Sequence, residues 1–366
     1  MNRAVIVQAK RTPIGKKNGT FQSLQVHELT APLLRHLASG IEEKVNDVII
    51  GNVTGPGGNI GRLSVLEAGL PLTIPGLTLD RQCSAGLEAI RIACYLIQGG
   101  AGHCYIAGGV ESTSTSPYTK RARFSPEHLG DPDMIEAAEF VAQKYRITKD
   151  QQDEYALMSY ERSWDAFENG LYAEEILALG KWHTDEEFSK RRNMKALLKR
   201  AKPILTSENS SITAANSCGI HDGAAAALIM EEDTALKLGY TPVLRFVDSE
   251  VAAVHPQYPG AAPIPAIKTL LNRNHLSIEA IEMIEINEAF ASKVVACAQE
   301  LTIPRKILNS IGGALTLGHP YGASGAILVT RILHEVQRRK KVKYALAAIG
   351  SGGGIGLAVL FEAVRE

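Results

Sequence analysis

The stretch Thr78-Leu79-Asp80-Arg81-Gln82-Cys83-Ser84-Ala85-Gly86-Leu87-Glu88-Ala89-Ile90 joins a short apolar run to a cysteine and then to small residues. Apolar residues at positions 87, 90, 94 and 97 recur at helical spacing. The pattern predicts a strand that ends in a tight turn, with Cys83 at or near the N-terminus of a helix. Free amides and the helix dipole lower the pKa of a thiol at such a place, and the thiolate is the reactive form. We therefore expect a nucleophile at Cys83, although a small buried structural cysteine is the competing interpretation.

Length and charge limit the classes of protein that the chain could represent. With 366 residues it is long enough for two or three domains. Lys+Arg and Asp+Glu both number 39, so the net charge is zero and nothing indicates a nucleic-acid or anionic-membrane partner. The sequence has no apolar run long enough to span a bilayer. We expect a globular protein that acts on small molecules.

The cysteines indicate the redox environment. There are five, at positions 83, 94, 104, 218 and 297, and none forms a CxxC pair. Since the number is odd and the sequence has no recognisable signal peptide, we expect a reduced, cytoplasmic compartment. The sequence predicts no metal site.

Strands and helices alternate in both parts of the chain, and this order predicts an α/β fold with largely buried sheets. The predicted strands cover residues 4–7, 45–53, 77–79, 104–111, 224–230, 243–247, 281–286, 344–349 and 357–361, with a further short strand before the turn at 312–320. The predicted helices cover residues 26–37, 61–69, 85–97, 150–168, 263–274, 291–301 and 322–338. The glycine-rich residues 350–356 are predicted to be a loop.

The second part of the chain repeats the order of the first. Cys83–Gly86 and Gly322–Gly325 are both small-residue helix starts, and each precedes a strand that ends in glycines. Two similar halves predict a duplicated fold with the active site between them, where strand C-termini meet. The predicted boundaries are an N-terminal half (1–117), an inserted loop or lid region (118–219), the end of the N-terminal half (220–242) and a C-terminal half (243–366).

The inserted region carries a dense basic cluster. Its members are Lys181, Lys190, Arg191, Arg192, Lys195, Lys199, Arg200 and Lys202. A solvated helix face is the ordinary explanation of such a run of charge. The alternative is a binding surface for a phosphorylated ligand.

Two residues in the C-terminal half are candidate partners of Cys83. His319 lies on a glycine-rich turn before Pro320, where an imidazole can be held in place without entering a helix. Asn287 ends a predicted buried strand, where its amide could hold a water or a substrate oxygen. Purely structural roles are the competing interpretation of both residues.

Six motifs in order resemble the thiolase family of acyl-CoA acyltransferases over nearly the whole chain. They are Cys83-Ser84-Ala85-Gly86-Leu87, Ala107-Gly108-Gly109-Val110-Glu111-Ser112, Gln152-Asp153-Glu154-Tyr155-Ala156, His221-Asp222-Gly223-Ala224-Ala225, Asn287-Glu288-Ala289-Phe290-Ala291 and Gly318-His319-Pro320-Tyr321-Gly322-Ala323-Ser324-Gly325. The resemblance implies a layered α-β-α-β-α core with an inserted loop domain, and a homodimer or homotetramer. It also implies a place in fatty acid metabolism, with coenzyme A and acyl-CoA as substrates and no permanently bound cofactor.

The resemblance also implies catalytic roles. Cys83 resembles the nucleophile that accepts the acyl group, and His319 the histidine that takes its proton. Asn287 resembles the residue that holds the water of one oxyanion site. The backbone amides of Cys83 and Gly352 would form the second oxyanion hole, in a ping-pong acyl transfer.

Further positions resemble the family's contacts with coenzyme A. Met134 and Phe290 would line the pantetheine channel, and Lys190 and Arg191 would meet the phosphates. Cys218 stands where the family has a serine that contacts pantetheine.

One position departs from the family pattern. Gly350 occupies the place of a second cysteine, which removes the α-proton of the second acyl-CoA in synthesis and protonates the leaving carbanion in thiolysis. The neighbouring Ser351 has an unsuitable pKa and would point to the other side of a strand. An acid–base group typically contributes about 100- to 10,000-fold, so ordinary thiolase turnover should fall unless another group substitutes.

Three functions therefore remain open at the level of sequence. The first is an acyl-CoA C-acyltransferase of the thiolase type that uses Cys83 and His319. The second is an acyltransferase with altered chemistry, such as transfer to a non-CoA acceptor, thioester hydrolysis or decarboxylative condensation. The third is a non-catalytic acyl-CoA-binding protein.

Overall fold

The computed structural model describes residues 2–118, 120–207 and 209–365. The strands are β1 (Ala4–Arg11), β2 (Gly15–Lys16), β3 (Asp47–Gly51), β4 (Gly76–Leu79), β5 (Cys104–Glu111), β6 (His221–Glu231), β7 (Leu244–Ala253), β8 (Met283–Ile286), β9 (Tyr344–Ser351) and β10 (Ile355–Ala363). The α-helices are α1 (Val26–Ala38), α2 (Ile60–Glu67), α3 (Ala85–Gln98), α4 (Met134–Lys144), α5 (Lys149–Glu168), α6 (Met194–Arg200), α7 (Glu232–Lys237), α8 (Pro263–Arg273), α9 (Ala291–Glu300), α10 (Ala314–Leu317) and α11 (Tyr321–Arg338). Short 3₁₀ turns include Glu186–Ser189 and Pro259–Ala261.

The strands form one continuous sheet of two similar halves. Its order is β4-β3-β5-β6-β1-β7-β10-β9-β8, with β2 paired to β6. Pairing is parallel between β3 and both β4 and β5, and between β8 and β9; the remaining pairs are antiparallel. The halves join where Val5 pairs with Arg245 and Ile6 with Leu244. This narrow junction lets the two halves of the sheet enclose a layer of helices.

Helices cover both faces of each half of the sheet. On the outside, α1 and α2 pack on the N-terminal half and α8 and α9 on the C-terminal half. Between the halves, α3 and α11 pack against each other and against strands of both. Each layer buries apolar side chains, so three apolar clusters hold five layers together. The predicted α/β fold with a layered α-β-α-β-α core is confirmed.

Glycines let backbone segments of the central layer approach so closely that no side chain would fit between them. A Cβ atom on Gly109 of β5 would lie 1.9 Å from the carbonyl oxygen of Gly322 in α11. One on Gly86 of α3 would lie 2.5 Å from the same oxygen. Because real Cβ atoms do not approach backbone so closely, the N-terminus of α11 can occupy this place only beside glycine.

Two of the predicted elements are corrected by the pairing. Gly350 and Ser351 belong to β9 and Ile355 and Gly356 to β10, so the predicted loop at 350–356 contracts to a turn at 352–354. Hydrogen bonds of a hairpin extend the two strands into the glycine-rich run, because glycine itself does not prevent pairing. The short strand predicted before residue 312 is reduced to a single bridge between Leu308 and Ile284.

The region predicted as an insertion, 118–219, leaves the sheet after β5 and returns at β6. Its described residues contain α4, α5 and α6, with only isolated bridges in place of strands. Buried Arg11 of β1 ties this region to the sheet through Asp185 (2.6 Å) and Glu175 (2.7 Å). The domain boundaries drawn from the sequence stay predictions.

Within the described part of the chain, no helix has the length and apolar character needed to cross a bilayer. Among the same residues, no group of three or more His, Cys, Asp or Glu side chains is arranged to hold a metal ion.

Replacing Gly109 with Ala should lower the free energy of unfolding by about 1–3 kcal/mol, because the added methyl group overpacks the contact with α11. Gly223→Ala is the matched control: Gly223 lies on the neighbouring strand β6, and a Cβ there would meet nothing closer than 3.5 Å. Urea unfolding of the two variants measures the difference. Equal midpoints for the two variants would contradict the proposed close packing.

Candidate active site

Cys83 lies in a tight turn between β4 and α3. The preceding residue, Gln82, has a left-handed backbone (φ 49°), which is uncommon for a residue with a side chain. The Gln82 amide donates to the Asp80 Oδ1 (2.6 Å), and the Ala85 amide donates to the Gln82 carbonyl (2.8 Å). These bonds hold the half-buried Cys83 just before the first turn of α3. A strained residue held in this way is typical of a functional turn.

The environment of Cys83 keeps its thiol protonated. Burial raises the pKa of Cys83 to about 11, although the positive charge of Lys293 acts in the opposite direction. Our expectation that the helix N-terminus lowers this pKa is therefore wrong. The reason is that Cys83 precedes the helix by two residues and desolvation outweighs the favourable charges. A base must remove the thiol proton before Cys83 can attack.

His319 has the properties of such a base. Its Nδ1 lies 2.5 Å from the Ser324 Oγ, and that hydroxyl donates its hydrogen to the Pro320 carbonyl (3.1 Å). The hydrogen-bond pattern therefore assigns the ring proton to Nδ1 and leaves Nε2 as an acceptor, 3.5 Å from the Asn287 Nδ2. Burial, together with the charges of Lys293 and His221, lowers the pKa of His319 to about 3. The imidazole is neutral and can accept a proton.

The loop that carries His319 is held from two sides. Gly318 has a positive φ (100°), and a Cβ there would lie 2.1 Å from the buried ring of His221. On the other side, the buried carboxylate of Glu288 accepts hydrogen bonds that join the loop to α5 and β8. Its donors are Tyr155 (2.7 Å), Ser159 (2.7 Å), Asn309 (2.9 Å) and the amide of Leu315 (3.2 Å). Glu288 is thus a structural residue beside the site.

Two residues connect Cys83 to His319. Tyr321 packs edge-on against the His319 ring, with 5.1 Å between the ring centroids. A negative charge on Cys83 would raise the pKa of the Tyr321 hydroxyl, which places Tyr321 near Cys83 as well. Lys293 acts electrostatically on both Cys83 and His319. The starts of α3 and α11 therefore bring the two predicted catalytic residues to one place, with Asn287 beside them.

The turn after β9 is tied to the Cys83 turn. The buried hydroxyls of Ser351 and Ser84 are hydrogen-bonded to each other. Within residues 2–118, 120–207 and 209–365, the backbone N–H groups of Cys83 and Gly352 donate to no other residue, and the Cys83 amide lies beside its own thiol. Unused donors of this kind are available to an oxygen of a ligand.

Backbone atoms fill the space beside Gly350, the position where the family resemblance places a second cysteine. A Cβ on Gly350 would lie 2.4 Å from the carbonyl oxygen of Pro259 and 3.0 Å from the ring of Pro263. The carbonyl oxygen of Gly350 instead accepts a hydrogen bond from the Nζ of Lys293 (3.3 Å). A cysteine could therefore not enter at this position without a backbone shift.

Lys293 is a site residue that sequence reasoning missed. It lies on α9, where Ala291, Val294 and Cys297 are also buried, and its own side chain is buried. A lysine on the apolar face of a helix is the signal that could have found it, since lysine is rarely buried without a reason.

The structure divides the residues predicted to bind coenzyme A into two groups. Met134 and Phe290 line a small cavity together with Lys293 and Gly350. Half-buried Cys218 is close by, because its amide donates to the carbonyl of Ala289 (3.0 Å). These residues lie near the catalytic cluster.

The basic residues lie further out. Lys190 is exposed, while Arg191 forms an ion pair with Glu168 (2.6 Å) and lies over the ring of Trp164 (5.3 Å). A nearby groove is lined instead by other members of the basic cluster and their neighbours: Tyr160, Arg192, Met194, Leu197, Arg200, Ala201, Ala214, Ala215 and Leu315. The assignment of Lys190 and Arg191 to the phosphates stays a prediction.

A neutral imidazole and a half-buried thiol beside a common lysine are suited to nucleophilic catalysis. Comparison with known proteins identifies the class further. The chain belongs to the thiolase family: residues 4–233 match the family model of the thiolase N-terminal domain and residues 240–363 that of the C-terminal domain. Thiolases are acyltransferases, so this protein is an acyltransferase enzyme of that family.

Relatives of known sequence or structure cover almost the whole chain. YhfS of Bacillus subtilis (strain 168), named provisionally as an acetyl-CoA C-acetyltransferase, is 56% identical over 98% of this chain and 99% of its own. VraB of Staphylococcus aureus (strain MW2), with the same provisional name, is 46% identical over 99% of each chain. The crystal structure of the Bacillus anthracis acetyl-CoA acetyltransferase superposes with a TM-score of 0.92 at 34% identity, covering 100% of this chain and 99% of that one.

The Ser324→Ala variant should slow acylation of the enzyme by acetyl-CoA by about ten-fold or more. The change leaves the buried Nδ1–H of His319 without its acceptor, a loss of about 1–3 kcal/mol. Thr330→Val is the control, because Thr330 on the same helix makes the equivalent hydroxyl bond, to Ala326 (2.9 Å). Single-turnover release of CoA measures both. Equal slowing in the two variants would assign the effect to the helix and not to His319.

Acylation should not weaken as the pH falls from 8 to 5. The pKa of His319 is lowered from 6.5 to about 3, so its base form persists throughout this range. A histidine with its ordinary pKa would lose the base form below pH 6.5. Single-turnover rates at saturating acetyl-CoA provide the test. A ten-fold loss per pH unit below 6.5 would contradict the neutral state assigned to His319.

Proposed function

We propose that this enzyme is an acyl-CoA C-acyltransferase, similar to acetyl-CoA acetyltransferases and 3-ketoacyl-CoA thiolases, that works by a ping-pong mechanism through an acyl-Cys83 intermediate. The observation that carries the proposal is that Cys83 and His319 have complementary protonation states. Cys83 is a protonated thiol, and the Nε2 of His319 is an unprotonated acceptor whose orientation Ser324 maintains. A thiol and a neutral imidazole are the reactants that acylation of cysteine requires.

In the first half-reaction, the sulfur of Cys83 attacks the thioester carbon as its proton moves to the Nε2 of His319. Collapse of the tetrahedral intermediate breaks the bond to the CoA sulfur. That sulfur leaves with the proton from His319, which returns the imidazole to its neutral state. The buried surroundings of His319 favour this return, because they disfavour a charged ring.

Two sites would stabilise the negative charge that develops on thioester oxygens. The free amides of Cys83 and Gly352 are suited to the oxygen of the Cys83-bound acyl group. The Asn287 amide, directly or through a water, is suited to the oxygen of a CoA-bound thioester, and the Nε2 of His319 can donate there only once it has taken a proton. One such preorganised donor contributes about 3 kcal/mol to the stabilisation of a transition state.

Coenzyme A binding is supported by two features. The cavity lined by Met134 and Phe290 adjoins the catalytic cluster and would take the end of the pantetheine arm. The basic residues, with Lys190 exposed and Arg192 and Arg200 lining a groove, would attract the phosphates. The names of YhfS, VraB and the Bacillus anthracis enzyme favour acetyl-CoA as the donor.

The second candidate function is an acyltransferase without a carbanion step. The observation that favours it is Gly350, where backbone atoms occupy the space of a side chain. Transfer to a non-CoA acceptor, thioester hydrolysis or decarboxylative condensation would then follow acylation of Cys83. A non-catalytic acyl-CoA-binding protein is the third alternative, and the retention of a protonated thiol with an oriented base counts against it.

The proposal also covers the cellular location, the oligomeric state and the metabolic role of the enzyme. A cytoplasmic location is supported by five free cysteines. A homodimer or homotetramer and a role in fatty acid metabolism follow from the family resemblance alone.

Acetyl-CoA should acylate Cys83, and the Cys83→Ala variant should form no acyl-enzyme because the only attacking sulfur is gone. Intact-mass analysis after rapid acid quenching measures the adduct, and peptide mapping locates it. Cys94→Ala is the control, because Cys94 is a buried core thiol of the following helix, outside the site.

Incubation with acetoacetyl-CoA and CoA then separates the alternatives. Thiolysis that depends on Cys83 supports the C-acyltransferase. Acylation of Cys83 without any thiolysis or condensation supports the second candidate. Absence of acylation by acetyl-CoA and by longer acyl-CoA substrates would contradict both.

A further inference from the structure

Lys293 of α9 is a buried lysine with few polar partners. Lys293 is 3% exposed, and its stem lies beside Gly260 of the 3₁₀ turn before α8. Its Nζ donates to a single acceptor, the carbonyl oxygen of Gly350, at 3.3 Å. Among the described residues, no carboxylate is paired with it. A structural lysine in a protein interior would be expected to have a partner of opposite charge.

The groups that face Lys293 all belong to the active site or its border. Cys297 lies one turn along α9, Cys83 precedes α3, and Cys218 lies in the segment before β6. His319, on the loop before α11, senses its charge as well. Among the described residues, those that the 3₁₀ turn and α4 contribute to the cavity that Lys293 lines are all uncharged: Pro259, Gly260, Met134, Ala138 and Val141.

These surroundings disfavour the ammonium form of Lys293 compared with water. Burial lowers the pKa of Lys293, and the neighbouring thiols, which are protonated, do not restore it. A neutral amine uses one N–H for the Gly350 carbonyl and keeps a lone pair that can accept a proton. An ammonium would need two further acceptors at this place.

We propose that Lys293 is the acid–base catalyst of the second half-reaction, in the role that Gly350 cannot perform. The proposal rests on the proposed function, since it requires acyl-Cys83 as the partner in carbon–carbon bond formation. Its substrate is a second acyl-CoA whose α-carbon enters the cavity between Phe290, Met134 and Gly350.

In the direction of synthesis, the lone pair of Lys293 takes a proton from the α-carbon of the second acyl-CoA. The electron pair of that C–H bond forms a new bond to the carbonyl carbon of acyl-Cys83. Collapse breaks the bond between that carbon and the sulfur of Cys83, which leaves as a thiolate. The ammonium of Lys293 then returns the proton to this sulfur. In cleavage the same steps run backwards, so Lys293 protonates the departing α-carbon.

Other groups near the site are less suited to this step. The hydroxyl of Ser351 is bound to Ser84. Burial raises the pKa of Cys218 and of Cys297 to about 12, and the Cys297 thiol is directed at the Gly260 carbonyl (3.8 Å). His319 is already assigned to the transfer of the Cys83 proton in the first half-reaction. Lys293 is the one candidate here that combines a free lone pair with contact to Gly350.

The test separates the two half-reactions in Lys293→Met, which removes the amine and keeps an unbranched apolar side chain. Condensation and thiolysis should fall by about 100- to 10,000-fold, while acylation of Cys83 changes less than three-fold. Lys293→Arg should fail in the same way, because its guanidinium stays protonated. The exposed Lys144→Met is the control and should retain both half-reactions.

Exchange of α-protons gives a readout that a merely structural lysine would not affect. In D₂O, the Cys83→Ala variant should exchange the α-protons of acetyl-CoA for deuterium, as followed by NMR. The double variant Cys83→Ala/Lys293→Met should exchange them at least 100-fold more slowly. Thermal melting confirms that each variant is folded, and a small primary amine should partly restore exchange in Cys83→Ala/Lys293→Ala.

Each failure points to a different error. If wild type does not acylate Cys83, the proposed function is wrong. If Lys293→Met condenses and cleaves within three-fold of wild type, or loses acylation and condensation equally while folded, the role of Lys293 is wrong. Exchange that persists in the double variant would also overturn it.

Discussion

Close contact between the helices of the central layer is the constraint on which the rest of this enzyme depends. The N-terminus of α11 lies against Gly86 and Gly109, where a single methyl group would collide with backbone. Because Cys83 precedes α3 and His319 precedes α11, this contact places both residues on the border between the two halves. The catalytic geometry is therefore a consequence of glycine packing, and the apolar clusters on either side hold it in place.

Desolvation then decides which proton each group holds. Burial raises the pKa of Cys83 and lowers those of His319 and Lys293, so it shifts all three groups toward their neutral forms. A neutral site exchanges protons without creating isolated charges in its ground state. Charge appears only when the substrate reacts, where free amides and Asn287 are available to meet it. Hydrogen bonds to the Ser324 hydroxyl and the Glu288 carboxylate orient His319 and its loop, which electrostatics alone would not do.

Much of the fold could be predicted from the sequence, because apolar periodicity and glycine positions act locally. The alternation of strands and helices followed from spacing, and so did the helix starts predicted at residues 85 and 322, which the structure has at Ala85 and Tyr321. The two wrong expectations depended on contacts outside their own stretches. Part of the glycine run at 350–356 belongs to paired strands and not to a loop. Burial raises the pKa of Cys83, which was expected to be lowered. Neither hairpin pairing nor desolvation is visible in a single stretch of residues.

The sequence by itself determined the family and the presence of glycine at residue 350, and it predicts Cys83 as the nucleophile, since these are matters of residue identity. Only the tertiary structure decided that Gly350 faces the Pro259 carbonyl, that His319 carries its proton on Nδ1, and that Lys293 reaches Gly350. The physical reason is that Lys293 and Gly350 are 57 residues apart. Proximity between such residues, and the loss of water around them, arises only when the layers pack. Cys83 is thus specified by its own segment, whereas its reactivity is set by the residues that fold around it.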